Sequence, residues 1–405
     1  MTSNAHRAEF LPAVTTTVPA AGLLIFPILR VRPNRVAQGV SLDLWQIEAG
    51  SGLVVVLLVL AALYLAMYLR HGAASAPVAL IERWLPVVWA IAITVLPWIV
   101  VALASAPATA EFSGDRVHRF VPGAGIGLAT ISALAGWHEV LRRQNSRPER
   151  IVLGTLLTAS LLVVAAILID PRMAALSYRR EYTVQADRFW QEGLTHLRLA
   201  TSAVGFAALI GLPAGVVAYR RERLRSAILG VTNALQTIPS LAMFGLLIAP
   251  LAALSRAVPF VRALGISGVG AAPALIALTL YALLPIVRNT VVGFSQVPPA
   301  VRESGTAMGM NGWQRFTMIE VPLASPLVLR GLRTAAVQSV GTTTVAALIG
   351  AGGFGRFIFQ GLGQAATDLV VLGVIPIVLL AVIVDRLFSL VARRAAISAG
   401  LGEHR

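Results

Sequence analysis

Apolar residues run through this chain in long blocks separated by short polar connections. A helix needs about 20 apolar residues to cross the hydrocarbon core of a bilayer. Ten blocks approach or exceed that length, near 11–30, 50–69, 84–106, 121–141, 151–169, 195–219, 226–254, 268–293, 324–349 and 366–392. The pattern predicts an all-α integral membrane protein of about ten transmembrane helices. The first block contains Pro12, Pro19 and Pro27. No small-x-small cleavage site follows it, so it reads as an uncleaved span rather than a signal peptide.

One connection, 294–323, is long enough to hold structure of its own. Pro298 and Pro299 suit a helix start, because proline fits the first helical position. A short helix is expected from there to Met308. Gly309 then permits a backbone reversal that residues with a Cβ resist. Asn311 is placed to cap a second helix, with Gln314 at the reciprocal capping-box position. Pro322 marks the start of the next apolar block. On the second helix Trp313, Phe316, Thr317 and Glu320 share one face by three- and four-residue spacing. Such a face suits a groove on another protein, and equally the lipid headgroup layer. Glu303 reads either as a site residue or as an exposed carboxylate loosely paired with Arg302 or Arg315.

Composition agrees with a membrane solvent. Of the 405 residues, 57% are hydrophobic and 13% charged. There is no cysteine, which excludes disulfides and thiolate metal sites. All 33 basic residues are arginine. A Walker A loop places a lysine on the β- and γ-phosphates, so the chain is not its own P-loop ATPase. No cofactor is expected on it, and any ATP belongs to a partner.

The net charge of +15 does not point to nucleic acid, because of where it sits. Arg142, Arg143, Arg147 and Arg150 fill one short connection, and Arg220, Arg221, Arg223 and Arg225 another. Basic clusters in short loops beside apolar blocks are the positive-inside signature. They put 70–83, 142–150, 220–225 and 294–323 on the cytoplasmic side. The loops 31–49, 107–120, 170–194, 255–267 and 350–365 fall opposite. With ten spans both termini are cytoplasmic.

The segment Glu303–Pro322, ESGTAMGMNGWQRFTMIEVP, resembles the EAA loop of ABC-importer permeases. That pattern runs Glu-Ala-Ala, three residues, Gly, nine residues, Ile-x-Leu-Pro. The spacing matches throughout, with Ser304 and Gly305 for the two alanines and Val321 for the leucine. The resemblance implies a loop that docks on an ATPase, with Glu303, Gly305, Ala307, Gly309, Trp313, Phe316 and Pro322 as its coupling residues. The runs QTIPSLAMFGLLIAPLAAL (236–254), YALLPIVRNTVVGFSQVP (281–298) and GTTTVAALIGAGGFGRFIFQGL (341–362) resemble permeases of glycine betaine, choline and carnitine importers. PNR (33–35) and LWQI (44–47), with five leading spans, resemble the longer permease of the osmoprotectant (Yeh-type) systems.

The resemblance implies a type I (MetI-like) permease core of five spans over 191–394. An N-terminal membrane module of about five spans and an outer loop occupies 1–190, and a cytoplasmic tail 395–405. It also implies two ATP-binding cassette subunits, a second permease chain, an extracytoplasmic binding protein and the lipid of the cytoplasmic (inner) membrane as partners, and no nucleic acid. The cargo implied is glycine betaine or a related osmoprotectant; an amino acid or sulfonate is the alternative. An ion-coupled secondary transporter is a competing class. It normally carries ionisable residues at mid-membrane, and the span centres hold almost none.

Candidate translocation-path residues are Gln236, Pro239, Ser240, Asn289, Gln338, Thr342 and Thr343. Proline in a span frees a carbonyl that neighbouring polar groups must satisfy. Helix packing explains the same residues equally well. Arg288 sits near the inner end of its block, where it either snorkels or takes part in gating. Gly350, Gly352 and Gly355 match G-x-G-x-x-G, but a dinucleotide site needs a preceding strand within a βαβ unit. Here a helical block precedes, so a flexible outer turn is expected.

Overall fold

A computed structural model describes residues 21–23, 25–32, 40–43, 56, 59, 62, 63, 76–111, 119–143, 153–157, 159, 160, 163, 164, 176–263 and 265–400. The blocks at 11–30, 50–69 and 151–169 lie mostly outside these residues. So do 33–35, 44–47, Arg147, Arg150 and the end of the tail. The chain forms two compact units, Met1–Val184 and Gln185–Arg405.

In the first unit, strands β1 (Leu29–Arg32), β2 (Val40–Leu42) and β3 (Arg119–Pro122) form an antiparallel sheet in the order β2-β1-β3. Leu29 stands opposite Leu42 on one side and Pro122 on the other. Strands of three or four residues are too short for alternation to announce them, and the helical pattern predicted none. Helices α1 (Ala76–Glu111) and α2 (Ala124–Arg143) pack on one another. Val87, Ala90, Trp137 and Leu153 share a core there. The buried Trp137 indole donates to Thr94 Oγ1 at 3.1 Å, so its N–H is satisfied in an apolar setting. Helix α3 (Ser177–Val184) lies beside β3.

The second unit is helical. Its elements are α4 (Ala186–Arg220), α5 (Glu222–Thr237), α6 (Ser240–Ala257), α7 (Pro259–Ala263) and α8 (Ala271–Ser295). They continue with α9 (Pro299–Ala307), α10 (Gly312–Arg315), α11 (Val321–Ala346), α12 (Gly355–Gly363) and α13 (Thr367–Ser398). Helix α8 is the axis of the unit, with α4, α5, α6 and α11 packed around it. Small residues set the close approaches, as expected where lipid supplies no hydrophobic drive between helices. A Cβ at Gly215 would lie 2.6 Å from Thr290 Cβ, and one at Gly331 2.7 Å from the Pro285 carbonyl oxygen. Larger side chains would push α4 or α11 away from α8.

Among the described residues, five helices are long and apolar enough to cross a membrane: Trp84–Ala102 within α1, then α4, α6, α8 and α13. Helix α11 is long enough, but Arg330, Arg333 and its run of hydroxyls dilute its apolar character. Helix α2 has the shorter apolar stretch Ala124–Trp137.

Three expectations change. The block 226–254 is not one kinked span: α5 ends at Thr237, Ile238 is extended at φ −70° and ψ 125°, and α6 starts at Ser240. Proline disfavours the helical conformation of the residue before it, so Pro239 breaks the helix rather than bending it. The loop 170–194 is largely helical, because α3 and the first turns of α4 fill it. The turn at 350–365 is not a flexible connection: Ala351, Gly353, Phe354 and Gly355 are buried, and α12 follows at once.

Candidate functional site

The loop between α8 and α11 is built largely by local rules. Pro298 is the N-cap of α9 and Pro299 its first residue. Gly309 turns the chain at φ +80°, a left-handed conformation that an L side chain resists by about 1–2 kcal/mol. Asn311 and Gln314 form the expected capping box, with both bonds at 2.9 Å.

Beyond Arg315 the local rules change. Phe316–Glu320 form a π turn, in which the Val321 N–H reaches back to the Phe316 carbonyl. Pro322 lacks the N–H that would bond Met318, and its ring would crowd that carbonyl in a regular helix. The wider turn just before Pro322 makes room for it. It also takes Glu320 off the expected common face, while the Trp313 and Phe316 rings stay together at 5.9 Å. Trp313 is 71% exposed, Phe316 is half-buried and Glu320 is 6% exposed.

Phe316 is the inner anchor of the loop. Its ring lies 5.4 Å from Phe294 at an interplanar angle of 12°, and Phe294 stacks on Tyr219 at 5.5 Å. The Arg220 guanidinium stands 4.5 Å over the Phe316 ring, a cation–π contact. Arg302 donates to Tyr219 Oη at 2.5 Å and to the Val297 carbonyl at 3.0 Å, tying α9 to the end of α4. Arg315 pairs with Glu320 at 3.4 Å and donates to Thr306 Oγ1 at 2.9 Å.

Neither arginine turns to Glu303, which is exposed and has no ion-pair partner among the described residues. Glu303, Ala307, Gly309 and Trp313 thus form an outward surface. Gly305, Phe316 and Pro322 support it from within. An open cleft of about 750 Å³ lies beneath, lined by Arg220, Arg302 and Arg315 with Glu303 and Glu320 among others.

A second polar group lies in the interior of the unit. Pro285 cannot supply the N–H that the Tyr281 carbonyl needs four residues back. Gln236, at the end of α5, supplies it instead at 2.7 Å. The Tyr281 hydroxyl in turn donates to the Ile238 carbonyl at 2.6 Å, at the break between α5 and α6. Two interrupted helices therefore satisfy each other. Gln338 of α11 joins them, its Oε1 3.4 Å from Gln236 Nε2.

The other path candidates look inward to their own helices. Asn289 bonds the Pro285 carbonyl at 2.8 Å, Thr342 that of Gln338 at 2.8 Å and Thr343 that of Ser339 at 2.6 Å. Pro239 is exposed, Ser240 is half-buried and Thr343 is fully buried. Arg288 is exposed on α8.

Periodicity did not reveal two ionic groups. Arg333 of α11 binds Asp385 of α13 through two parallel bonds, Nε to Oδ1 at 2.6 Å and Nη2 to Oδ2 at 2.8 Å. Glu192 and His196 of α4 are buried. For Arg333, Asp385 and His196 the available signal was a charged or titratable residue inside an apolar block, which marks a site by default; Glu192 lies just ahead of its block, in 170–194, and carried no such signal.

A bundle of long apolar helices, with a capped and arginine-braced loop between two of them, is the build of a membrane permease subunit. Residues 207–397 match the family described as binding-protein-dependent transport system inner membrane component. Residues 9–178 match the ABC transporter permease YehY N-terminal domain. The osmoprotectant import permease protein OsmW of Salmonella typhimurium is 41% identical over 190 residues, which are 47% of this chain and 83% of that one. The glycine betaine/carnitine/choline transport system permease protein OpuCB of Bacillus subtilis is 35% identical over 199 residues, 49% of this chain and 84% of that one. A solved structure of the MetNI methionine ABC transporter, in inward-facing conformations, is 21% identical, with a TM-score of 0.44 over 51% of this chain and 95% of that one. The chain belongs to the binding-protein-dependent transport system inner membrane component family, and carries a YehY-type N-terminal domain before the shared core.

Proposed function

We propose that this permease is the translocation subunit of an ATP-driven importer for glycine betaine or a related osmoprotectant. The observation that carries the substrate class is the similarity of about half of the chain to permeases named for osmoprotectants, carnitine and choline. A separate ATP-binding cassette pair hydrolyses ATP, and an extracytoplasmic binding protein delivers the cargo. The chain lies in the cytoplasmic membrane with both termini inside. Residues 1–190 form the N-terminal module, 191–394 the permease core and 395–405 the tail. The pairing of β1 with β3 supports this topology, since it needs 31–49 and 107–120 on one side of the bilayer.

Glu303, Ala307, Gly309 and Trp313 present the ATPase-docking surface, and Gly305, Phe316 and Pro322 hold its shape. Gln236, Pro239, Ser240, Asn289, Gln338, Thr342 and Thr343 lie along the translocation path. Each chain supplies one docking loop and the motor has two ATPase subunits. A second permease chain therefore completes the complex, and a shorter partner suits an extended subunit such as this one. The test is uptake by cells carrying the complete importer, with labelled glycine betaine, choline, carnitine, an amino acid and a sulfonate as probes. Uptake of one of the first three supports the reading. Uptake of only the amino acid or the sulfonate overturns the substrate class, and a particle with one permease chain by native mass spectrometry overturns the stoichiometry.

A further inference from the structure

Gly350, Gly352 and Gly353 hold φ of 78°, 82° and 89° and turn the chain from the end of α11 toward α12. This hairpin is fastened to the first turns of α4. Phe189, Glu192, Gly193 and His196 recur there at three- and four-residue spacing, which places them on one stripe. Glu192 Oε2 accepts the Gly353 N–H at 2.6 Å, and Oε1 accepts Arg356 Nη1 at 3.0 Å. The Phe354 ring lies 5.1 Å from Phe189 and 5.5 Å from His196. A Cβ at Gly193 would fall 2.8 Å from Phe354 Cζ, and one at Gly353 3.1 Å from His196 Nδ1. The fit leaves no spare room.

The polar half of this joint is not what rigid packing alone requires. His196 is fully buried, and its Nε2 donates to the Val340 carbonyl at 3.0 Å. Nδ1 is left as an acceptor with no partner among the described residues, and a buried unsatisfied acceptor is destabilising. The Glu192 carboxylate is 9% exposed against 50% for its partner Arg356. A buried ion pair adds little net stability over apolar side chains of the same volume. The aromatic contacts of Phe354 would hold the hairpin without either group. Water entering the joint would hydrogen-bond both the carboxylate and Nδ1. The engaged state therefore has a competitor that satisfies more polar atoms.

We propose that Glu192 is the latch of an extracytoplasmic gate whose moving part is the hairpin 350–355. This rests on the reading of the chain as a permease with that end outward. Engaged, Glu192 holds the hairpin on α4 and closes the outer end of the unit. Released, it frees the hairpin to swing on its glycines and admits cargo from the binding protein.

The test uses the complete importer. A Cβ at Gly352 would lie 3.2 Å from Thr195 Cγ2 and 2.8 Å from Glu192 Oε2, so Thr195→Cys with Gly352→Cys spans a distance a disulfide can close and pins the hairpin to α4 even where the new side chain displaces the Glu192 carboxylate. This chain has no other cysteine. Oxidation should slow glycine betaine uptake at least tenfold and reduction should restore it. Equal rates with the cross-link complete by mass spectrometry overturn the gate. A second arm follows labelling of Thr195→Cys alone by a membrane-impermeant maleimide. Adding Glu192→Ala should speed labelling at least fivefold, and equal rates overturn the latch. If Gly352→Cys fails to accumulate, this arm carries the test. Faster labelling in a complex that takes up none of the probes leaves the latch standing and removes the transport reading.

Discussion

The side chain of Gln236 occupies the place of the backbone N–H that Pro285 lacks, donating to the Tyr281 carbonyl at 2.7 Å. A proline in one helix is thus balanced by a glutamine at the broken end of another. Gln236→Leu should leave that carbonyl unsatisfied, at about 1–3 kcal/mol. Pro285→Ala restores an N–H in the right place. The single leucine variant should lower the thermal midpoint of the detergent-extracted chain, and the double variant should recover most of the loss. A double variant no more stable than Gln236→Leu alone would show that the amide serves some other group.

The capping box at Asn311 and Gln314 and the turn at Gly309 were legible because each depends on residues within a few positions. The π turn was not. A three- and four-residue count carries Trp313, Phe316 and Glu320 along one stripe, and only the clash of Pro322 with the preceding turn changes the phase. The break at Ile238 was half legible: Pro239 announced an interruption, but a bend and a full stop differ by tertiary partners. Here the partner is Tyr281, 43 residues away. The glycine hairpin looked loose for the same reason, since Glu192 lies 161 residues from Gly353.

Coupling should fail without loss of the fold when the docking surface alone is altered. Glu303 is exposed and has no partner within the described residues, so Glu303→Ala should leave insertion and thermal stability within about 0.5 kcal/mol. Substrate-stimulated ATP hydrolysis by the complex should fall. Gly309→Pro should lower it too, through the loop's shape rather than its surface, because proline fixes φ near −65° where the turn needs +80° and removes the N–H that bonds the Thr306 carbonyl. Gly305→Ala is the contrasting case. Its Cβ presses on the end of the flexible Ile319 side chain at 2.6 Å and otherwise meets Met310 Sδ at 3.4 Å and Arg315 Cγ at 3.7 Å, ordinary contacts, and the loops it resembles carry alanine there. It should keep its coupled hydrolysis. Normal stimulation in both Glu303→Ala and Gly309→Pro would remove this loop from the coupling path.

Topology follows from the arginine clusters. Single cysteines introduced within 142–150, 220–225 and 294–323 should resist an impermeant thiol reagent in intact cells and react after the membrane is opened. A cysteine at the exposed end of α7, at Phe260, should react from outside. Outside labelling at any of the three arginine-bearing loops would reverse the orientation.

The Arg333–Asp385 pair joins α11 to α13 within stretches of apolar side chains. Val378, Leu379, Val382 and Ile383 precede the aspartate on α13 and are exposed on the surface of the unit. In lipid those side chains face hydrocarbon, and a charge there keeps its cost low only while it is paired. The two parallel bonds add geometric specificity to the attraction. The side chains are 40% and 34% exposed, so the full penalty of a buried orphan charge does not apply. Removing one partner should still be worse than removing both. Arg333→Leu and Asp385→Leu should each lower the yield of inserted, monodisperse chain, and the double leucine variant should exceed either. Exchanging the two residues, Arg333→Asp with Asp385→Arg, tests geometry separately from charge. It should recover insertion only in part, because the shorter aspartate on α11 and the longer arginine on α13 must meet along a different line. If either single variant behaves as the unaltered chain in a thermal melt, the pair is not a brace between the two helices.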